Sequence, residues 1–185
     1  MTAHHIETGT GADGTRFARI MRDGPDCGRG LTVRAPSNRT ADAGGVDMDP
    51  RPVPGEEPNT TLDHAAATLD GLLSSDDYIR IDEDDVRNIR ADAAATLVVM
   101  ENVSPATIDG TFGDRLSDLG IPGGAVTGVL VAIEGPKDMG LSEASSIVDE
   151  VRGNFTDEAN VIWGLNLADT GATHVTVLVA TPRER

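Results

Sequence analysis

The chain has 185 residues, with 31 Asp+Glu against 15 Lys+Arg and a formal net charge of −16. That length suits one ordinary domain, or one domain with a tail. The acidity excludes nucleic-acid binding through a basic face and disfavours docking on an anionic membrane, since both depend on neutralising phosphates.

The cations are arginines with one exception, Lys137, and aromatic residues make up only 3% of the chain. At about 1 M ionic strength the screening length falls to about 3 Å, so a carboxylate-rich surface no longer repels itself. The acid excess therefore reads chiefly as adaptation to concentrated salt and secondarily as an acidic partner-binding face. A single cysteine, Cys27, excludes an internal disulfide and argues against a cysteine-based zinc site. No apolar run is long enough to span a membrane and no basic-then-apolar leader opens the chain, which makes the cytoplasm the expected location.

In chain order, Thr8, Gly9, Thr10 and Gly11 begin a small-residue loop that runs to Gly14, and residues 16–21 are expected to start a helix. Glycines let backbone N–H groups approach phosphate oxygens, and a following helix adds its dipole. No Lys-Ser/Thr pair follows, so this is not a Walker A loop, and a flexible N-terminal segment explains it nearly as well. His4 and His5 have no further ligand at metal spacing. Residues 41–59 have little to bury and read as a linker or disordered segment. Residues 1–60 hold nine acids and seven bases, whereas the remainder carries −14 of the net charge, and the periodic apolar patterns begin only there.

Leu62, Ala65, Ala66, Leu69, Leu72 and Leu73 repeat at helical spacing, with Thr60 or Thr61 available as the cap and residues 74–77 ending the helix. A second helix is expected from about Glu83 to Ala93, with Val86 and Ile89 inward, followed by a buried strand over 96–100. Residues 104–120 form a weak helix interrupted by glycines. A strand over 126–133 alternates Val129, Val131 and Ile133 against Leu130 and Ala132. Ser142 then caps a helix with Ala144, Ile147, Val148 and Val151 on one stripe, and Gly153 stands where a left-handed C-cap is wanted. Strands over 160–167 and 174–181 complete the pattern. The order implies an α+β two-layer sandwich of about four strands, with helices on one face and a leading helix.

Asp82, Glu83, Asp84 and Asp85 crowd carboxylates at the start of the second helix. Asp82 is well placed as an N-cap and Asp85 stands at the third helical position, where acids offset the helix dipole. The same acids could instead hold a divalent cation such as Mg²⁺, or polarise a water for attack on phosphate. His64 and His174 are isolated from any serine or cysteine in a nucleophile context, so a hydrolase triad has no support.

These words and their order resemble the tubulin/FtsZ superfamily, specifically the FtsZ-type C-terminal domain. Residues 62–73 resemble the end of the family's long central helix. Arg80-Ile81-Asp82-Glu83-Asp84-Asp85-Val86-Arg87 resembles its Asn-Val-Asp-Phe-Ala-Asp-Val-Arg loop. Residues 128–135 with Asp138, 141–144, 159–164 and 175–181 follow in the family's order. The resemblance implies that Asp82 and Asp85 enter the nucleotide pocket of the next filament subunit and position the water that attacks GTP. Arg80 replaces the family's asparagine. Thr8 to Gly11 resemble the second half of the family's glycine-rich signature, with His5, Ile6 and Glu7 in place of its three glycines, and most of the GTPase domain has no counterpart. The resemblance thus implies a truncated or degenerate relative, with residues 1–60 a remnant and linker and 61–182 the sandwich domain. The expected partner is a full-length filament subunit or a second copy of the chain. A GTPase in its own right, a free-standing metal- or small-molecule-binding sandwich, and a decayed fragment are the alternatives.

Overall fold

The uninterrupted apolar runs at 129–133 and 177–180 are the mark of strands covered on both sides, because a half-exposed strand would alternate with polar residues. The computed structural model describes residues 4–12, 14–22, 31–34, 49–50, 57–74, 78–90, 93–100 and 103–182. Its strands are β1 (His4–Thr10), β2 (Arg16–Arg22), β3 (Leu31–Arg34), β4 (Asp49–Pro50), β5 (Ala93–Met100), β6 (Gly128–Pro136), β7 (Asn160–Ala168) and β8 (His174–Pro182). Its helices are α1 (Pro58–Ser74), α2 (Glu83–Arg90), α3 (Pro105–Asp118) and α4 (Leu141–Arg152).

A five-stranded sheet has the order β4-β5-β8-β6-β7, and β1-β2-β3 form a separate antiparallel sheet. β8 runs antiparallel to both β5 and β6, while β6 and β7 are parallel and α4 carries the chain between them. Val129, Val131, Ile133, Val175, Val177 and Val179 face one cluster with α3 and α4, built on Ile108, Phe112, Leu116, Ala144, Ile147 and Val151. The alternate residues Leu130, Ala132, Leu178 and Ala180 face a second cluster with α1 and α2. The α+β class stands. Helices α3 and α4 cover one face as expected, and α1, α2 and the small sheet close the other, so the larger sheet is the middle of a sandwich.

The helical stripes hold, with Leu62, Ala65, Ala66, Leu69 and Leu73 buried on α1, Val86 and Ile89 on α2, and all four α4 positions buried. The side chain of Leu72, the 41–48 and 51–56 parts of the expected linker, Cys27 and residues 75–77 lie outside the described residues. α3 forms despite Gly110 and Gly113 because both ends are fixed locally. Ser104 N–H donates to Thr107 Oγ1 at 3.2 Å. At the other end Gly120 (φ 64) closes a Schellman turn, with Ile121 N–H donating to Leu116 O and Gly120 N–H to Ser117 O.

Four local expectations are corrected. Thr60 and Thr61 lie inside α1 rather than capping it, and their N–H groups donate to Glu57 O at 2.9 and 3.1 Å. Residues 16–21 form strand β2, because Ala18 and Ile20 are buried at period two and pack with Leu31 and Val33 against α1. The N-cap of α4 is Gly140, with Ser142 already inside the helix. Gly153 is right-handed (φ −56), and Asn154 Nδ2 serves the helix end instead, donating to Glu150 O at 2.9 Å. No helix among the described residues is long and apolar enough to cross a membrane.

Because β6 and β8 belong to both clusters, the two cannot melt separately. Leu69→Ala on α1 and Ile147→Ala on α4 should each cost about 2–5 kcal/mol in urea unfolding. Each variant should keep a single transition, coincident by far-UV circular dichroism and Trp163 fluorescence.

Candidate functional site

The path of the chain into α2 is fixed by the edge of the large sheet. Ile79 N–H donates to Leu165 O at 3.3 Å and Leu165 N–H donates to Ile79 O at 3.0 Å, a lone antiparallel bridge onto β7. Ile81 then turns inward and is 1% exposed. It lies over Gly164, where an added Cβ would stand 2.6 Å from Ile81 Cδ1 and Cγ1 and 3.0 Å from Ile79 O. The far end of α2 has a similar seat, since a Cβ on Gly128 would stand 2.9 Å from Ile89 O. Two glycines on neighbouring strands thus make room for the two ends of one short helix.

This seat presents Asp82 and Asp85 together. Asp85 N–H donates to Asp82 Oδ1 at 2.9 Å, and Asp82 N–H donates to Asp85 Oδ2 at 3.0 Å. Those reciprocal bonds form a capping box with aspartate at both positions, satisfying backbone donors that the first helical turn cannot satisfy itself. The capping reading of these acids is therefore realised. Each carboxylate spends one oxygen on the cap, leaving Asp82 Oδ2 and Asp85 Oδ1 without a hydrogen-bond partner among the described residues. Asp82 is exposed and Asp85 half-buried. Asp84 is exposed and pairs with Arg87 Nη1 at 3.2 Å, while Arg80 and Tyr78 also face solvent.

Thr8, Gly9, Thr10 and Gly11 are placed differently from the expectation. They end β1 and enter a tight hairpin in which Gly14 N–H donates to Gly11 O at 3.0 Å and Gly11 N–H to Thr15 O at 2.8 Å. Gly14 has φ 82, so this is a three-residue loop closed by a bulge glycine, and a strand follows where a helix dipole was expected. The Gly11 N–H is already spent within the hairpin. Gly9 sits under the Phe17 ring, whose Cζ would be 2.5 Å from a Cβ at that position. The segment does not fit a phosphate cradle. The Asp13-Gly14 pair between two short runs was the available signal for a hairpin. Among the described residues, no group of three or more His, Cys, Asp or Glu side chains is arranged to hold a metal ion.

The positions sequence reasoning missed are Gly128 and Gly164 as seats for α2 and the Ile79–Leu165 bridge. Glycines inside apolar, β-branched runs are the pattern that marks such close approach.

The FtsZ family, C-terminal domain, matches residues 111–182. Cell division protein FtsZ 1 of Methanocaldococcus jannaschii is 26% identical over 123 residues, covering 64% of this chain and 33% of that protein. An empty FtsZ dimer from M. jannaschii superposes with a TM-score of 0.52 at 21% identity, over 74% of this chain and 46% of the other. A point variant of that FtsZ gives 0.52 at 22%, over 74% and 47%. The chain thus spans about a third of the curated relative and under half of the solved ones. The fold is an α+β fold of the kind seen in those FtsZ structures. More narrowly, residues 111–182 are similar to the FtsZ C-terminal domain; Asp82 and Asp85 lie ahead of the matched stretch.

Gly164→Ala should drive Ile81 and Ile79 off the sheet, costing about 1–3 kcal/mol in urea unfolding and speeding hydrogen exchange at the Ile79 amide. Asp82→Ala should cost about 1 kcal/mol through the lost cap, whereas Asp82→Asn should be nearly neutral, because asparagine caps as well as aspartate.

Proposed function

We propose that the chain is an FtsZ-like module associated with cell-division or cytoskeletal filaments, presenting Asp82 and Asp85 in trans to the GTP of a full-length partner subunit. The observation that carries this reading is the capping box, which holds two carboxylates at a fixed spacing while one oxygen of each stays available. Oxygens held in this way suit the orientation of a water for phosphoryl attack, in which positioning is a main part of the catalysis and proton acceptance adds to it. The nucleotide and any Mg²⁺ then belong to the partner, since Thr8 to Gly11 do not make a phosphate cradle. The acid excess is read as adaptation of the surface to concentrated salt in the cytoplasm.

The test is co-sedimentation with a full-length FtsZ under polymerising conditions at high KCl. The chain should pellet with the polymer and change its GTP turnover. Asp82→Asn and Asp85→Asn should pellet equally well while losing most of the effect on turnover, by about 10²-fold or more if proton transfer to these acids limits the step. Absence of co-sedimentation together with unchanged turnover would overturn the proposal.

A further inference from the structure

The small sheet ends on β1, a seven-residue strand paired along its whole length with β2, from His4 opposite Arg22 to Thr10 opposite Arg16. The hairpin fixes which backbone groups point where. Gly11 N–H donates to Thr15 O, so Gly11–Thr15 is a hydrogen-bonded pair, and strict alternation makes Gly9, Glu7 and His5 the next residues bonded to β2. The N–H and C=O groups of His4, Ile6, Thr8 and Thr10 therefore point away from the sheet. Among the described residues no strand lies on that side. β1 contains no proline, lysine or bulge, the devices that normally blunt an open edge. Ile6, in its middle, is 38% exposed.

We propose that this edge is a self-association surface, on which two copies of the chain pair β1 with β1, antiparallel about a two-fold axis at Ile6. The side chains select both the occupant and the register. A two-fold axis at Glu7 would set two carboxylates face to face in a non-hydrogen-bonded pair, where side chains approach most closely. A two-fold axis at Thr8 pairs Glu7 with Gly9 and Ile6 with Thr10, bringing no complementary groups together. The axis at Ile6 instead sets His5 of each copy opposite Glu7 of the other and Ile6 opposite Ile6. In the same register the outward backbone groups of His4, Ile6 and Thr8 meet those of Thr8, Ile6 and His4 of the second copy, and both small sheets become one. β1 carries a single acid, Glu7, in a chain of net charge −16, so the copies meet where carboxylate repulsion is weak.

The surface is separate from the Asp82/Asp85 site, and its test needs no partner protein. Sedimentation equilibrium of the whole chain at moderate salt should show mass rising with concentration toward that of a dimer. His5→Glu should weaken the dimer by about five-fold, by placing like charges opposite one another twice, and His5→Lys should strengthen it. Ile6→Lys should abolish it, with far-UV circular dichroism verifying the fold. A monomer at every concentration would overturn the proposal. So would a dimer indifferent to all three substitutions, or one that Ile6→Lys breaks while both His5 variants leave it unchanged, since the register would then be wrong.

Discussion

Two-sided burial of β6 and β8 is the constraint on which the other elements depend. Their odd and even residues belong to different clusters, so neither strand has a face to offer solvent. Removing that many apolar side chains from water is worth far more than any local propensity in the chain, at about 25 cal/mol per Å² of apolar surface. It also dictates what must lie on either side. α3 and α4 supply one cover, and α1, α2 and β1–β3 together supply the other. The N-terminal strands thus share a core with the larger sheet through Ala18, Ile20, Leu31 and Val33.

The candidate site inherits its order from this arrangement. α2 is only eight residues long, too short to persist alone in water. It holds because Val86 and Ile89 are buried, because Gly128 and Gly164 admit its two ends, and because the Asp82–Asp85 box satisfies its first turn. The structural and the chemical readings of these acids are compatible, since the bonds that cap the helix are the ones that hold the carboxylates still. Asparagine at position 82 separates the two roles, because it preserves the cap and removes the charge.

Much of this was legible in the sequence. The stripes of α1, α2 and α4 and the strands β5 to β8 follow from apolar spacing, and the acids at 82 and 85 follow from cap chemistry and from resemblance together. What escaped was set by tertiary context or by turn geometry. The strand at 16–22 has a short, arginine-interrupted pattern whose period of two is plain only once Ala18 and Ile20 are seen against α1. The bulge hairpin at Gly14 looked like a phosphate loop because both require small residues. Gly153 carried the composition of a left-handed cap, but Asn154 took over the helix carbonyls and left the glycine right-handed. The cover on the second face was implied by the unbroken apolar run at 129–133, which a one-sided sandwich would not need.

The position of β8 has a consequence for the order of events during synthesis. It is the last of the described strands, yet it lies at the centre of the large sheet, joining β5 to β6. Met100 waits for Val175 and Ala93 for Pro182, so β5 has no antiparallel neighbour until β8 has been made. Until then β6, α4 and β7 can assemble as a parallel unit, while β5 lacks this neighbour and the cluster under α1 and α2 lacks Leu178 and Ala180. Closure of the sheet is therefore a late step with high sequence separation, and the growing chain depends on β8 to hide surfaces that would otherwise recruit chaperones.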